Sequence, residues 1–247
     1  MQQTGIEPLA TATAGRGRKY RYYDFAMAAT CVIVVCSNII GANKVGTLAG
    51  LEFGAGVLFF PLSYVLGDVM TEVYGYGCAR RVVWASFAAA AFAAGMAAVV
   101  TAVPPAAEWN VQMGGLTRQQ VFELNFAQAP RIVAASVAAL WLGEFANAFV
   151  LARMKVLTKG RWLWTRTIGS TAVGQAVDSL VFYPLAFAGV WPWKLVLTVM
   201  AANYALKVVW EALLTPLTYA VVGWLKRAEG VEVFDTDTNF TPFSLRT

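Results

Sequence analysis

Long apolar runs separated by short basic linkers limit what this chain can become more than any other feature. Runs of this kind recur from Phe25 to about Ile40, roughly Phe53 to Tyr74, Val82 to Val103, Arg131 to about Leu151, about Thr167 to Val190, and from the Trp191-Pro192-Trp193 turn to about Leu225. A span of the hydrocarbon core needs about 20 predominantly apolar residues, and inside lipid only helices and closed barrels satisfy their backbone. The runs show no strict alternation, so helices are expected rather than a barrel. Only 13% of the residues are charged and 58% are hydrophobic, against about a quarter charged in soluble domains. The expected fold is therefore an all-α integral membrane protein, a bundle of six transmembrane helices.

Charge gives this bundle an orientation. One side receives Arg16, Arg18, Lys19 and Arg21, then Arg80 and Arg81, then Arg153, Lys155, Lys159, Arg161 and Arg166, then Lys226 and Arg227. The other side receives Lys44, Arg118, Arg131 and Lys194. By the positive-inside rule both termini are cytoplasmic. Residues 1–24 read as a basic cytoplasmic tail rather than a cleaved leader, 25–227 as the six-helix domain and 228–247 as a polar cytoplasmic tail. Because the basic residues lie between apolar runs, the net charge of +5 speaks for membrane orientation and against nucleic acid as a partner.

Several chemistries lack their residues. There is no histidine, so proton transfer must use carboxylates, and Cys31, Cys36 and Cys78 have no metal-ligand spacing. No phosphate loop, dinucleotide fingerprint or cofactor motif occurs, so neither a cofactor nor a metal is expected, and a membrane-embedded acid/base enzyme built on Asp68 and Glu72 finds little support.

The informative residues are polar groups inside the apolar runs. Asp68 and Glu72 lie one helical turn apart, with Tyr64 a turn earlier, so all three share a helix face. Ionisable groups at membrane depth are costly and mark functional sites by default. Pro61 is expected to kink this span near its start. Ser37 and Asn38 close the first run; Glu144 and Asn147 share a face of the fourth; Ser170, Gly174 and Asp178 form a seam on the fifth, beside Gln175. Asn203, Lys207, Glu211 and Thr215 make a stripe on the sixth, with Lys207 and Glu211 spaced for an ion pair. The alanine-rich third run reads as scaffolding, and Thr117-Arg118-Gln119-Gln120 as a capping box opening either a short interfacial helix or an ordinary loop. If the seams converge, Asp68, Glu72, Glu144, Asp178 and Glu211 face Lys207 alone, and a ligand rich in N–H donors or carrying a cation suits such a site. Phe60, Tyr64 and Tyr183 offer rings against which a flat heterocycle stacks.

Ser37-Asn38, Phe60–Gly75, Glu144–Asn147, Arg166–Thr171, Gly174–Ser179, Lys207–Glu211 with Thr215-Pro216, and the tail Phe234–Phe243 together resemble the queuosine precursor transporter family, which is vitamin uptake transporter-like. The resemblance covers nearly everything after the first two dozen residues. It implies a bacterial inner-membrane importer of 7-cyano-7-deazaguanine or 7-aminomethyl-7-deazaguanine, the bases that feed queuosine modification of transfer RNA. A carboxylate from Asp68, Glu72, Glu144 or Asp178 would accept the adjacent N–H donors of the guanine-like edge, and Asn38, Asn147 or Gln175 would meet the remaining polar atoms. Lys207 and Glu211 contact substrate or pair to fix the helices. Two other readings stay open: a substrate-binding subunit that relies on a separate energising module, and a membrane scaffold. The partners expected are the small base and the lipid bilayer, with self-association into a homo-oligomer left open.

Overall fold

The computed structural model of the protein describes residues 20–41, 45–48, 51–54, 59–126, 130–190, 192–236 and 238–243. The first 19 residues of the expected basic tail, Lys44 and Trp191 lie outside the described residues, as does the side chain of Phe60. The protein is mostly helical. Helix α1 (Tyr23–Cys36) ends in a π-helical turn, Ser37–Gly41, that carries Asn38. Strands β1 (Val45–Leu48) and β2 (Leu51–Gly54) then pair antiparallel, with Leu48 opposite Leu51. The long helices that follow are α2 (Phe60–Tyr74), α3 (Tyr76–Ala102), α5 (Pro130–Leu157), α6 (Leu163–Phe187) and α7 (Trp193–Glu229).

Among the described residues, four helical stretches are long and apolar enough to cross a membrane: Tyr23–Ile40, Tyr76–Ala102, Ala134–Leu157 and Val196–Glu229. The other two expected spans are helical but fall short of that standard. Helix α2 has 15 residues, about 22 Å at 1.5 Å per residue, and α6 is long but interrupted by polar groups.

Several boundaries differ from expectation for identifiable reasons. The second span begins at Phe60 rather than Phe53, which sits in β2. Pro61 occupies the first turn of α2, where its missing N–H costs nothing, so it starts the helix instead of kinking it. Arg80 and Arg81 belong to no turn. Gly75, at φ +83°, makes the whole reversal between α2 and α3, and Tyr76 already opens α3. The Asp235 carboxylate accepts the Tyr76 N–H at 3.0 and 3.1 Å and so supplies the N-terminal cap. Helices α5 and α6 likewise extend through linker residues, so Lys155 and Arg166 are helical.

Between α3 and α5 a small hairpin, β3 (Gln112–Met113) with β4 (Leu116–Thr117), leads into α4 (Arg118–Phe126). The capping box is formed in full. Thr117 Oγ1 accepts the Gln120 N–H at 3.2 Å, and Gln120 Oε1 accepts the Thr117 N–H at 2.8 Å.

Residues 231–236 and 238–243 are not a free polar tail. They run as an extended strap along α3, whose side chains at Tyr76, Arg80 and Trp84 lie at successive helical turns. Arg80 Nη1 donates to the carbonyls of Asn239 (2.7 Å) and Thr241 (2.6 Å), Tyr76 Oη to Phe240 (3.1 Å) and Trp84 Nε1 to Pro242 (2.8 Å). Strap rings add to this: Phe240 packs on Tyr76 and Phe149, and the Arg153 guanidinium lies 4.4 Å above it. The main apolar core, including Met70, Val73, Tyr76, Leu225 and Val231, sits at this same end.

Candidate functional site

Helices α5 and α6 set the geometry of the polar interior by crossing closely at two glycines. A Cβ on Gly174 would stand 2.8 Å from Asn147 Cβ and 2.9 Å from the Gly143 carbonyl; one on Gly143 would stand 3.0 Å from both Asp178 Cβ and the Gly174 carbonyl. The small residues of the seam therefore permit backbone contact. That contact holds Asn147 against α2, where its Nδ2 donates to Asp68 Oδ1 at 2.9 Å. Both residues are buried, and Asp68 Oδ2 and Asn147 Oδ1 have no hydrogen-bond partner among the described residues.

Glu144 approaches the same place. A Cβ on Gly67 would stand 3.1 Å from Glu144 Oε2, so this carboxylate lies against the α2 backbone immediately before Asp68. Glu144, Asn147 and Gly67 line a cavity between α1, α2, α3 and α5, together with Phe87, Trp141 and Ser86. Helix α3, expected to serve as scaffolding, contributes Ser86 and Phe87 to the wall of this cavity. Phe87 and Trp141 are the aromatic contribution that sequence reasoning missed. The available signal was Trp141, three residues before Glu144 and so on its helical face.

The remaining candidates fall into separate groups. Tyr64 Oη donates to Gln175 Oε1 at 3.1 Å in the buried contact between α2 and α6. Lys207 does not pair with Glu211. Its ammonium reaches across to α6 and lies 2.7 Å from Asp178 Oδ2, while Glu211, fully buried, has neither carboxylate oxygen hydrogen-bonded among the described residues. Asn38 donates to the Val34 carbonyl at 2.9 Å and accepts from Ser136 Oγ at 3.1 Å, which joins the π-helical turn to α5. Tyr183 Oη accepts from Asn203 Nδ2 at 2.6 Å.

Glu72 is in a different environment from Asp68, although one turn separates them. Its Oε1 lies 2.8 Å from Arg166 Nη2, 2.8 Å from Lys226 Nζ and 3.5 Å from Lys155 Nζ, and Lys155 also donates to the Glu72 carbonyl at 2.6 Å. Glu232 from the strap closes the cluster, 2.7 Å from Lys226 and 3.5 Å from Lys155. Burial alone would raise the Glu232 carboxyl, but the two lysines outweigh it and hold the group below its ordinary range. The expected charge ledger changes accordingly. Cations assigned to linkers neutralise Glu72, so Asp68, Glu144, Asp178 and Glu211 remain with Lys207.

Residues 54–221 match the family described as "Putative vitamin uptake transporter". A Bacillus subtilis (strain 168) protein named "Probable queuosine precursor transporter" is 27% identical over 187 residues, covering 75% of this chain and 78% of that protein. An Escherichia coli (strain K12) protein named "Queuosine precursor transporter" is 26% identical over 156 residues, covering 63% of this chain and 64% of that protein. No solved structure matches.

Proposed function

Because the chain belongs to the vitamin uptake transporter family, a family of transporters rather than enzymes, we propose that it imports the 7-deazaguanine precursors of queuosine across a bacterial inner membrane. The bundle then has six spans, with α2 packed against α1, α3, α5 and α7, and α6 against α5 and α7. Its basic end, where Glu72, Lys155, Arg166 and Lys226 meet, faces the cytoplasm with both termini.

One observation carries the substrate assignment: the buried Asp68–Asn147 pair keeps an acceptor oxygen on each side chain, next to Glu144 and an aromatic-lined cavity. A 7-deazaguanine presents a ring N–H and an exocyclic amine side by side, which one carboxylate accepts in bidentate fashion. Asp68 fits that role, with Asn147 and Glu144 flanking it and Phe87 and Trp141 supplying stacking surface. Glu72 is excluded from it by its cations. Both the cyano and the aminomethyl base carry the recognised edge, so either is taken.

The test is queuosine in transfer RNA from cells that cannot make its precursors, supplied with nanomolar 7-cyano-7-deazaguanine. Recovery that depends on the wild-type chain and disappears with Asp68→Asn is expected. Absence of recovery from a well-expressed wild-type chain with intact downstream enzymes refutes the reading, and recovery only with an added ATPase module turns it into that of a binding subunit.

A further inference from the structure

Glu211 has no part in the substrate contacts just described, yet it is enclosed, with 0% exposure and no partner for either oxygen among the described residues. An ionised carboxylate without donors cannot be kept there, whereas a protonated one can. Its nearest ionisable neighbours on α2 and α5 are acidic or phenolic. Tyr64 and Asp68 from α2 and Glu144 from α5 lie within electrostatic reach, and beyond Glu144 stands Asp178 of α6. Lys207 is one turn before Glu211 on α7 but is drawn across to Asp178.

We propose that Glu211 is a proton-binding site that couples import of the base to inward movement of a proton, with Lys207 as the element that exchanges partners. In the state seen here Glu211 carries the proton and Lys207 bridges α7 to Asp178 on α6. When the proton leaves toward the cytoplasm, Glu211 becomes an anion at i+4 from Lys207, a spacing at which the ammonium reaches it on the same helix. The bridge to α6 is then released, so loss of the proton loosens the α6–α7 contact. Reprotonation from the outside returns Lys207 to Asp178. One proton enters and one proton leaves per cycle, and no other reactant is consumed.

This inference rests on the import reading above, and the experiment separates the two. The full chain is reconstituted in lipid vesicles, and uptake of radiolabelled 7-cyano-7-deazaguanine is compared with an acid exterior and with equal pH on both sides. Gradient-driven accumulation is expected to rise up to about tenfold per pH unit imposed, the limit for one proton per base. In Glu211→Gln the ratio of the two conditions falls to about one, and in Glu211→Asp it stays above one. Wild-type uptake well above empty vesicles but with a ratio of one overturns the proton site and leaves the import reading standing; no uptake under either condition overturns both. If Glu211→Gln abolishes uptake, titration of the detergent-solubilised chain with the base in buffers of different ionisation heat decides: a proton linked to binding in wild type and absent in the variant supports the site, and an equal linkage in both overturns it.

Discussion

Asp68 and Glu72 have the same chemistry, the same helix and nearly the same burial, and differ in what reaches them. Arg166, Lys226 and Lys155 converge on Glu72, so Glu72→Gln takes from Arg166, 1% exposed, its carboxylate partner and leaves Lys155, 0% exposed, with Glu232 at 3.5 Å alone. Breaking a buried pair from one side costs about 3–5 kcal/mol, and thermal unfolding in detergent is expected to show a loss of that order. Asp68→Asn is expected to change the same midpoint by less than about 1 kcal/mol, because no cation depends on Asp68 and an amide replaces a carboxylate lacking one hydrogen-bond partner. Titration with 7-cyano-7-deazaguanine reverses the ranking: the Asp68 variant loses affinity by at least about tenfold, as removal of a charge-assisted hydrogen bond requires. The i, i+4 spacing in the sequence identified both acids as significant. It held no information on which would be neutralised, since Arg166 and Lys226 arrive from 94 and 154 residues away.

At the scale of elements, the small-residue seam on α6 was readable because close helix approach demands it, and its counterpart on α5, Gly143, completes the contact. Gly174→Ala would place a methyl group 2.8 Å from Asn147 Cβ, where backbone on the facing helix prevents adjustment. A destabilisation of about 1–3 kcal/mol is expected, with a loss of base affinity beyond what Asn147→Ala alone explains, since moving α5 displaces Glu144 as well. Stability and binding measured on the same preparations check both halves. Helix ends were less readable. The start of α3 is set by Asp235, 159 residues downstream, and no local signal near Tyr76 announces a cap supplied from there. Pro61 illustrates the same limit, since whether a proline kinks or initiates depends on structure before it that hydropathy does not report.

For the whole molecule, the six apolar runs were visible in composition, but the strap was not, because its polarity described a solvated tail equally well. Much of what docks it are main-chain carbonyls, which every sequence possesses. The charged part of that dock is sensitive to acid. Lys226 and Lys155 hold the Glu232 carboxyl low, so its contribution is complete above the unfolded value of about 4.3 and is lost as pH falls through the lower folded value. Thermal unfolding followed from pH 6 to pH 3 should therefore show a steeper acid decline for wild type than for Glu232→Gln, with the wild-type advantage constant above about pH 4.3 and shrinking below it.

Three side chains of α3, Tyr76, Arg80 and Trp84, make four hydrogen bonds to the consecutive carbonyls of residues 239–242. Such a dock measures length and is largely indifferent to spelling. Thr236→Ala should leave it intact, whereas deleting Thr236, an exposed residue between the Asp235 anchor and Asn239, should pull every carbonyl one place out of step with Tyr76, Arg80 and Trp84. A deep mutational scan of the strap is expected to tolerate most substitutions at 239, 241 and 242 and to reject single-residue insertions and deletions anywhere from 236 to 239.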